Sequence, residues 1–153
     1  MLSMTGSGGT YQTAQVTDVS SYAALISSGG AIVNLSALFN TPTGVSSAVA
    51  GVIVQFLSGT NYNTDQISTI NGGITLDGDS KTWEQASLSA AIPTNTAWIV
   101  SQVFYNAAPL GSNPGFVDAA SLTIEPVPEP GTALFGVACV GVAALRRRRS
   151  SAV

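Results

Sequence analysis

Hydrophobic and polar residues alternate in short runs along most of the chain, and glycine, asparagine and proline separate the runs. In the cleanest run, Ala31 to Phe39, the residues Val33, Leu35, Ala37 and Phe39 share one face, with Asn34 and Ser36 on the other. A period of two is what a strand with one buried face requires. Val49 to Leu57 gives a second strand with Val52, Val54 and Phe56 as its inner set. Ile53 and Leu57 on the opposite side predict that this side is partly covered too. Tyr11 to Val19, Trp83 to Ala90, Trp98 to Tyr105 and Phe116 to Ile124 read as further strands, and Gln66 to Ile70 as a weaker one. Asn71-Gly72 has the chemistry of a hairpin turn. Asn40-Thr-Pro-Thr-Gly44 and Asp77-Gly-Asp79 read as turns, and Ser58 to Asp65 and Gly111 to Gly115 as loops. One stretch leaves the period of two. Tyr22-Ala-Ala-Leu-Ile26, with serines before it and Gly29-Gly30 beyond, predicts one or two helical turns.

These elements predict an all-β fold, an antiparallel β-sandwich with one short helix, over residues 11–125. The alternation alone leaves an immunoglobulin-like sandwich and a jelly roll equally open. Residues 1–10 read as a flexible Gly/Ser-rich start. They carry neither the basic nor the apolar region of a signal peptide, so the start is expected to be truncated.

The alternation stops at residue 125. Residues 126–131 form a Pro-rich linker containing Pro128, Glu129 and Pro130, which hold the chain extended and deny it backbone donors. Residues 132–149 combine an uncharged apolar run, Thr132 to Leu145, with four arginines, Arg146, Arg147, Arg148 and Arg149; residues 150–153 are a short tail. This order predicts a C-terminal transmembrane helix with a cytoplasmic basic stop. Fourteen apolar residues span roughly 21 Å as a helix, short of a ~30 Å hydrocarbon core, which arginine snorkelling and bilayer thinning would accommodate.

Val127-Pro-Glu-Pro-Gly-Thr132, the glycine-spaced apolar run and the arginine stop together resemble the PEP-CTERM sorting signal of Gram-negative bacteria. That resemblance implies recognition and cleavage near Pro128 to Pro130 by exosortase, a membrane transpeptidase. It also implies an inner-membrane-anchored precursor in the cell envelope and a mature form at the outer surface or in the extracellular matrix. A second resemblance lies upstream. Trp83-Glu-Gln-Ala-Ser-Leu88, Ile92-Pro-Thr-Asn-Thr96 and Phe116-Val-Asp-Ala-Ala-Ser-Leu122 resemble the second half of a galactose-binding-like jelly roll, and Tyr22 to Gly30 resembles its first half. Many non-catalytic carbohydrate-binding modules have that fold. The resemblance implies a jelly roll and, at Asp118, a ligand for a structural Ca2+.

Composition narrows the chemistry. The chain carries eight acidic and five basic residues, and Lys81 is the only basic residue before the tail. Residues 1–131 thus set one lysine against eight carboxylates, a net −7, which rules out phosphate neutralisation and with it nucleic-acid binding. The absence of histidine excludes His-dependent triads, Cys–His pairs and His-ligated metals. The single Cys139 leaves no intrachain disulfide. No carboxylate pair has the surroundings a glycosidase needs: Asp77 and Asp79 flank a turn glycine, and Glu125 and Glu129 lie at the linker. The chain is therefore expected not to be an enzyme. Its domain reads as a structural or adhesive β-sandwich, with a carbohydrate-binding module for exopolysaccharide as the alternative. For sugar stacking the candidates are Tyr62, in a polar loop, and Tyr105, near a strand end; Trp83 and Trp98 are expected in the core.

Overall fold

The computed structural model describes residues 1–4, 10–45, 48–106 and 114–127. Among these lie eight strands and one short helix. The order is β1 (Leu2–Met4), β2 (Thr10–Asp18), α1 (Ala23–Ser27), β3 (Ala31–Asn40), β4 (Val49–Leu57), β5 (Gln66–Thr75), β6 (Glu84–Ala91), β7 (Trp98–Asn106) and β8 (Gly115–Pro126). All pairings are antiparallel. Strands β1-β8-β3-β6 form one sheet, sheet A, and β2-β7-β4-β5 form the other, sheet B. This interleaving of two four-stranded sheets is the jelly roll. Successive strands change sheet at every step except one: β4 and β5 form a hairpin within sheet B.

The core follows from the alternation. Val33, Leu35, Ala37 and Phe39 of β3 point inward from sheet A, each 3% exposed or less. Val52, Val54 and Phe56 of β4, with Ile99 and Tyr105 of β7, face them from sheet B and are fully buried. Burying a side chain of this size is worth about 1.5–3 kcal/mol, so these two rows and their neighbours supply most of the cohesion. Tyr105 brings a polar atom into that core, and Thr41 satisfies it: the two hydroxyls lie 2.9 Å apart. A Cβ on Gly115 would sit 2.4 Å from the Tyr105 ring, so only glycine fits beneath it.

Three details differ from the reading by alternation. Asn71-Gly72 is no turn. It lies inside β5, Asn71 opposite Ile53 and Gly72 opposite Val52, and its glycine does not adopt positive φ. The glycine answers crowding instead, since a Cβ there would approach the Ser87 carbonyl oxygen to 2.8 Å. Strand β8 carries a bulge between its pairings to Ser36 and Leu38, with Ala119 at φ 49°. The extra residue lets both Val117 and Leu122 face inward although five positions separate them. The opening of the chain contributes β1, which pairs with Gly115 to Val117 of β8.

The helix lies where expected, preceded by a 3-10 turn at Ser20–Tyr22, but no serine caps it. The Asp18 carboxylate accepts the Ser20 backbone N–H at 2.8 Å, at the start of the 3-10 turn. Gly29, at φ 71°, ends the helix. Among the described residues no helix is long and apolar enough to cross a membrane. The expected transmembrane helix lies outside the described residues.

Candidate binding face

A strand's outward residues normally meet solvent, and most of those of sheet A do. The two central strands of sheet B, β4 and β7, are different. The register that puts Val52, Val54 and Phe56 inside puts Gly51, Ile53, Gln55 and Leu57 outside, opposite Phe104, Gln102, Val100 and Trp98 of β7. Yet Leu57 is only 3% exposed, Val100 5%, Gln55 7% and Gln102 9%. The covering that Ile53 and Leu57 predicted is present, and it extends along the face.

Two buried amides on an outward face need partners, because an unpaired buried amide costs on the order of 2 kcal/mol or more. Gln102 Nε2 donates to Gln55 Oε1 at 2.8 Å, and Gln55 Nε2 donates in turn to the Tyr62 hydroxyl oxygen. Tyr62 comes from the β4–β5 loop, which folds back over the face. That loop is tightly tied. The Asp65 carboxylate accepts the Asn61 backbone N–H at 2.8 Å and the Thr64 hydroxyl at 2.9 Å. The Asp65 carbonyl accepts the Ser58 N–H at 2.8 Å, and Asp65 N–H donates to the Asn61 carbonyl at 2.9 Å. Gly59 lies so close to the Asp65 carboxylate that a Cβ there would meet it at 2.4 Å. The result is an exposed tyrosine (47%) on a fixed loop, its hydroxyl held from below.

Farther along the face, Phe104 lies over glycine. A Cβ on Gly51 would meet its ring at 2.8 Å, and one on Gly73 would lie 3.7 Å from it. The two glycines of neighbouring strands make a trough, and the ring fills it while staying partly exposed. The face therefore offers aromatic rings, amides and short aliphatic side chains. Two acidic residues stand at its Tyr62 end. Asp18 stands in register with Trp98, and Asp65 closes the Tyr62 loop. Lys81, the only lysine or arginine among the described residues, belongs to the β5–β6 connection at the opposite end of the sheet.

A second concavity, about 250 Å3, opens between the sheets on the β2–β8 side. Thr13, Gln15 and Ser101 line one wall, Leu35 and Leu122 the other, and none of its lining residues is ionisable.

The residues singled out from sequence fall in different places. Tyr62 joins the outward face. Tyr105 does not: it is fully buried, with its hydroxyl on Thr41, because its place in β7 pairs it with Ala50 on the inward side. It cannot stack on a sugar. Trp83 and Trp98 are not core residues. Trp83 precedes β6 and is 40% exposed, and Trp98 stands half-buried on the outward face of sheet B. Asp118 is half exposed. Its carboxylate accepts the Ala119 N–H at 2.9 Å and lies 3.2 Å from the Met1 ammonium. The backbone hydrogen bond first, and the ammonium second, hold it below the ordinary aspartate range. Among the described residues no group of three His, Cys, Asp or Glu side chains is placed to hold a metal ion. Asp77, Asp79 and Glu84 instead accept hydrogen bonds within the β5–β6 connection. Pro128, Glu129, Pro130 and Arg146 to Arg149 lie outside the described residues. Sequence reasoning missed Gln55, Gln102 and Phe104; the glycine at 51, set in the mostly apolar β4, is the signal that marks the last.

Comparison with known proteins separates the two parts of the chain. Residues 126–149 match the PEP-CTERM protein-sorting motif, a signal of exported, membrane-processed proteins. No curated protein matches by sequence. Among solved structures, the infectious bursal disease virus Gt strain is similar at 12% identity and a TM-score of 0.55, over 85% of this chain and 30% of that one. The enzymatically active domain of bacteriophage CBA120 tailspike protein 4 is similar at 10% identity and 0.52, over 80% of this chain and 15% of that one. The carbohydrate-binding module TmCBM61, solved with beta-1,4-galactotriose, follows at 13% and 0.45, over 76% and 63%. The chain thus spans less than two thirds of each of these structures, and at such identities the likeness to the first two is one of fold.

Proposed function

We propose that this is an exported, non-catalytic surface or matrix protein whose C-terminal segment is processed by an exosortase-type membrane transpeptidase and whose jelly roll is the adhesive part put on display. The observation that carries this is the sorting motif at 126–149, which begins at Pro126, the last residue of β8. Val127 donates its N–H to the Gly30 carbonyl at 2.7 Å. The sandwich is thereby closed off where the signal begins, so cleavage near Pro128 to Pro130 would release or transfer it without removing a strand. In this reading Thr132 to Leu145 retain the precursor in the inner membrane of a Gram-negative envelope, and Arg146 to Arg149 fix its orientation. The full chain, supplied with a secretory leader in an exosortase-bearing host, tests it. Replacing Pro128, Glu129 and Pro130 by alanine is expected to abolish processing and leave an uncleaved membrane-bound precursor. Normal processing of that variant, followed by immunoblot, would overturn the assignment.

For the domain itself, the outward face of sheet B favours contact with exopolysaccharide over a purely structural role. A face used only as bulk would have no need of buried amides that fix an exposed ring.

A further inference from the structure

We infer that Tyr62 is a fixed stacking platform for an uncharged polysaccharide chain, held by the Gln55–Gln102 pair beneath it. The inference rests on the polysaccharide-contact reading and gives it residues and a ligand class. An ordinary surface tyrosine leaves its hydroxyl to water and its ring free to turn. Here the ring is 47% exposed, yet its hydroxyl is tied to Gln55, which is tied to Gln102, both less than one-tenth exposed. The loop that carries it is locked through Asp65. A ring already immobilised loses little entropy when a ligand lies on it. The ligand such a ring accepts is flat and apolar on its faces with hydroxyls on its rim, which describes a pyranose.

Two features extend this to a chain without charge. Phe104, a further ring of the same face beside the half-buried Trp98, stands opposite Gly51, four residues from Gln55 on β4 and so about 13 Å along the strand. That distance exceeds one sugar ring, so a polymer reaches both where a monosaccharide cannot. Asp18 and Asp65 put negative charge at the Tyr62 end, and the only lysine or arginine among the described residues, Lys81, lies at the other end. Uronate or sulfate groups would be repelled there and find no cation.

The test uses the full chain in detergent, a soluble neutral galactan and a neutral glucan, and polygalacturonate as the acidic counterpart. Binding to a neutral polymer is expected, with polygalacturonate at least about tenfold weaker at low salt and the gap narrowing as salt rises. Tyr62→Ala should lose about tenfold in affinity or more while the chain stays folded by circular dichroism, its melting temperature lowered by the lost acceptor of Gln55. Tyr62→Phe keeps the ring without its tether and should lose roughly threefold. Gln55→Ala should match that loss in the wild-type background and add nothing to Tyr62→Ala, as expected of a residue that acts by positioning the ring. Wild-type affinity in Tyr62→Ala would overturn the platform while leaving the adhesive reading intact. Equal binding of polygalacturonate would overturn the uncharged ligand class. A folded chain that binds none of the polymers would overturn the polysaccharide reading and this inference with it.

Discussion

On the outward side of sheet A stand Asn34, Ser36, Ser87, Ser89, Ser121 and Thr123; on the outward side of sheet B stand Ile53, Gln55, Val100, Gln102 and Phe104. Both rows come from the same alternation, and both back onto the same core. The first is a row of short polar side chains, Ser36 flanked by Ser87 and Ser121, that leaves its strands to solvent. The second nearly covers its own backbone and ties a loop to itself. An alternating pattern specifies which residues point away from the core, but what they do there depends on whether something crosses over them.

The strongest way to break this comparison is Gly51→Ala. Its Cβ would lie 2.3 Å from the Gly72 carbonyl oxygen and 2.8 Å from the Phe104 ring, and the first of these is backbone that cannot step aside. The expected cost is about 3 kcal/mol or more in thermal or urea unfolding. Gly73→Ala, on the neighbouring strand of the same trough, meets nothing closer than 3.7 Å and should stay within about 0.5 kcal/mol of wild type. If both variants melt alike, the trough is not what seats Phe104.

The amide pair gives a smaller effect. Gln102→Ala removes the donor to Gln55 Oε1 and strands a buried acceptor, at about 1–2 kcal/mol. Ser36→Ala, its counterpart on sheet A, should change stability by less than about 0.5 kcal/mol. Replacing Gln55 and Gln102 together by leucine removes donor and acceptor at once. It should recover most of the loss while freeing Tyr62, so stability and polysaccharide binding would part company in one variant.

How far the chain could be read from its sequence follows the same division. Strands β3 and β4 are legible because one face of each is uniformly apolar, and a row such as Val33-Leu35-Ala37-Phe39 has no other use; β7 is legible although Ser101 interrupts its inward row. Asn71-Gly72 misled because its residues have turn chemistry, whereas the glycine is there to clear the Ser87 carbonyl of a strand distant in sequence. The bulge at Ala119 was hidden for a related reason: it shifts the alternation by one residue, and a run of alanine and serine shows no phase to shift. Among the candidate residues, the exposure of Tyr62 is legible because an aromatic in a polar loop has little to pack against. Tyr105 was misplaced because a strand end says nothing of which side the ring takes; the register to Ala50 decides that. Gln55 and Gln102 lie 47 positions apart and become a pair only through the β4–β7 register.

The smallest expected effect belongs to sheet A, at Asp118, opposite Leu38 on the outward side. The Ala119 N–H first, and the ammonium 3.2 Å away second, stabilise its charge. Because these partners lower its pKa in the folded state, the folded chain gives up that proton more readily than the unfolded chain does. The contribution is therefore present above the unfolded value, near pH 4, and fades as pH falls through the lowered folded value. Asp118→Asn should remove this dependence, so the difference in melting temperature between wild type and variant should shrink on acidification from pH 6 to about pH 3. A group this exposed is screened by water and salt, which keeps the difference small at every pH. A difference that grew on acidification would mean that the carboxylate strains the β1–β8 pairing, and that sheet A too depends on an outward side chain.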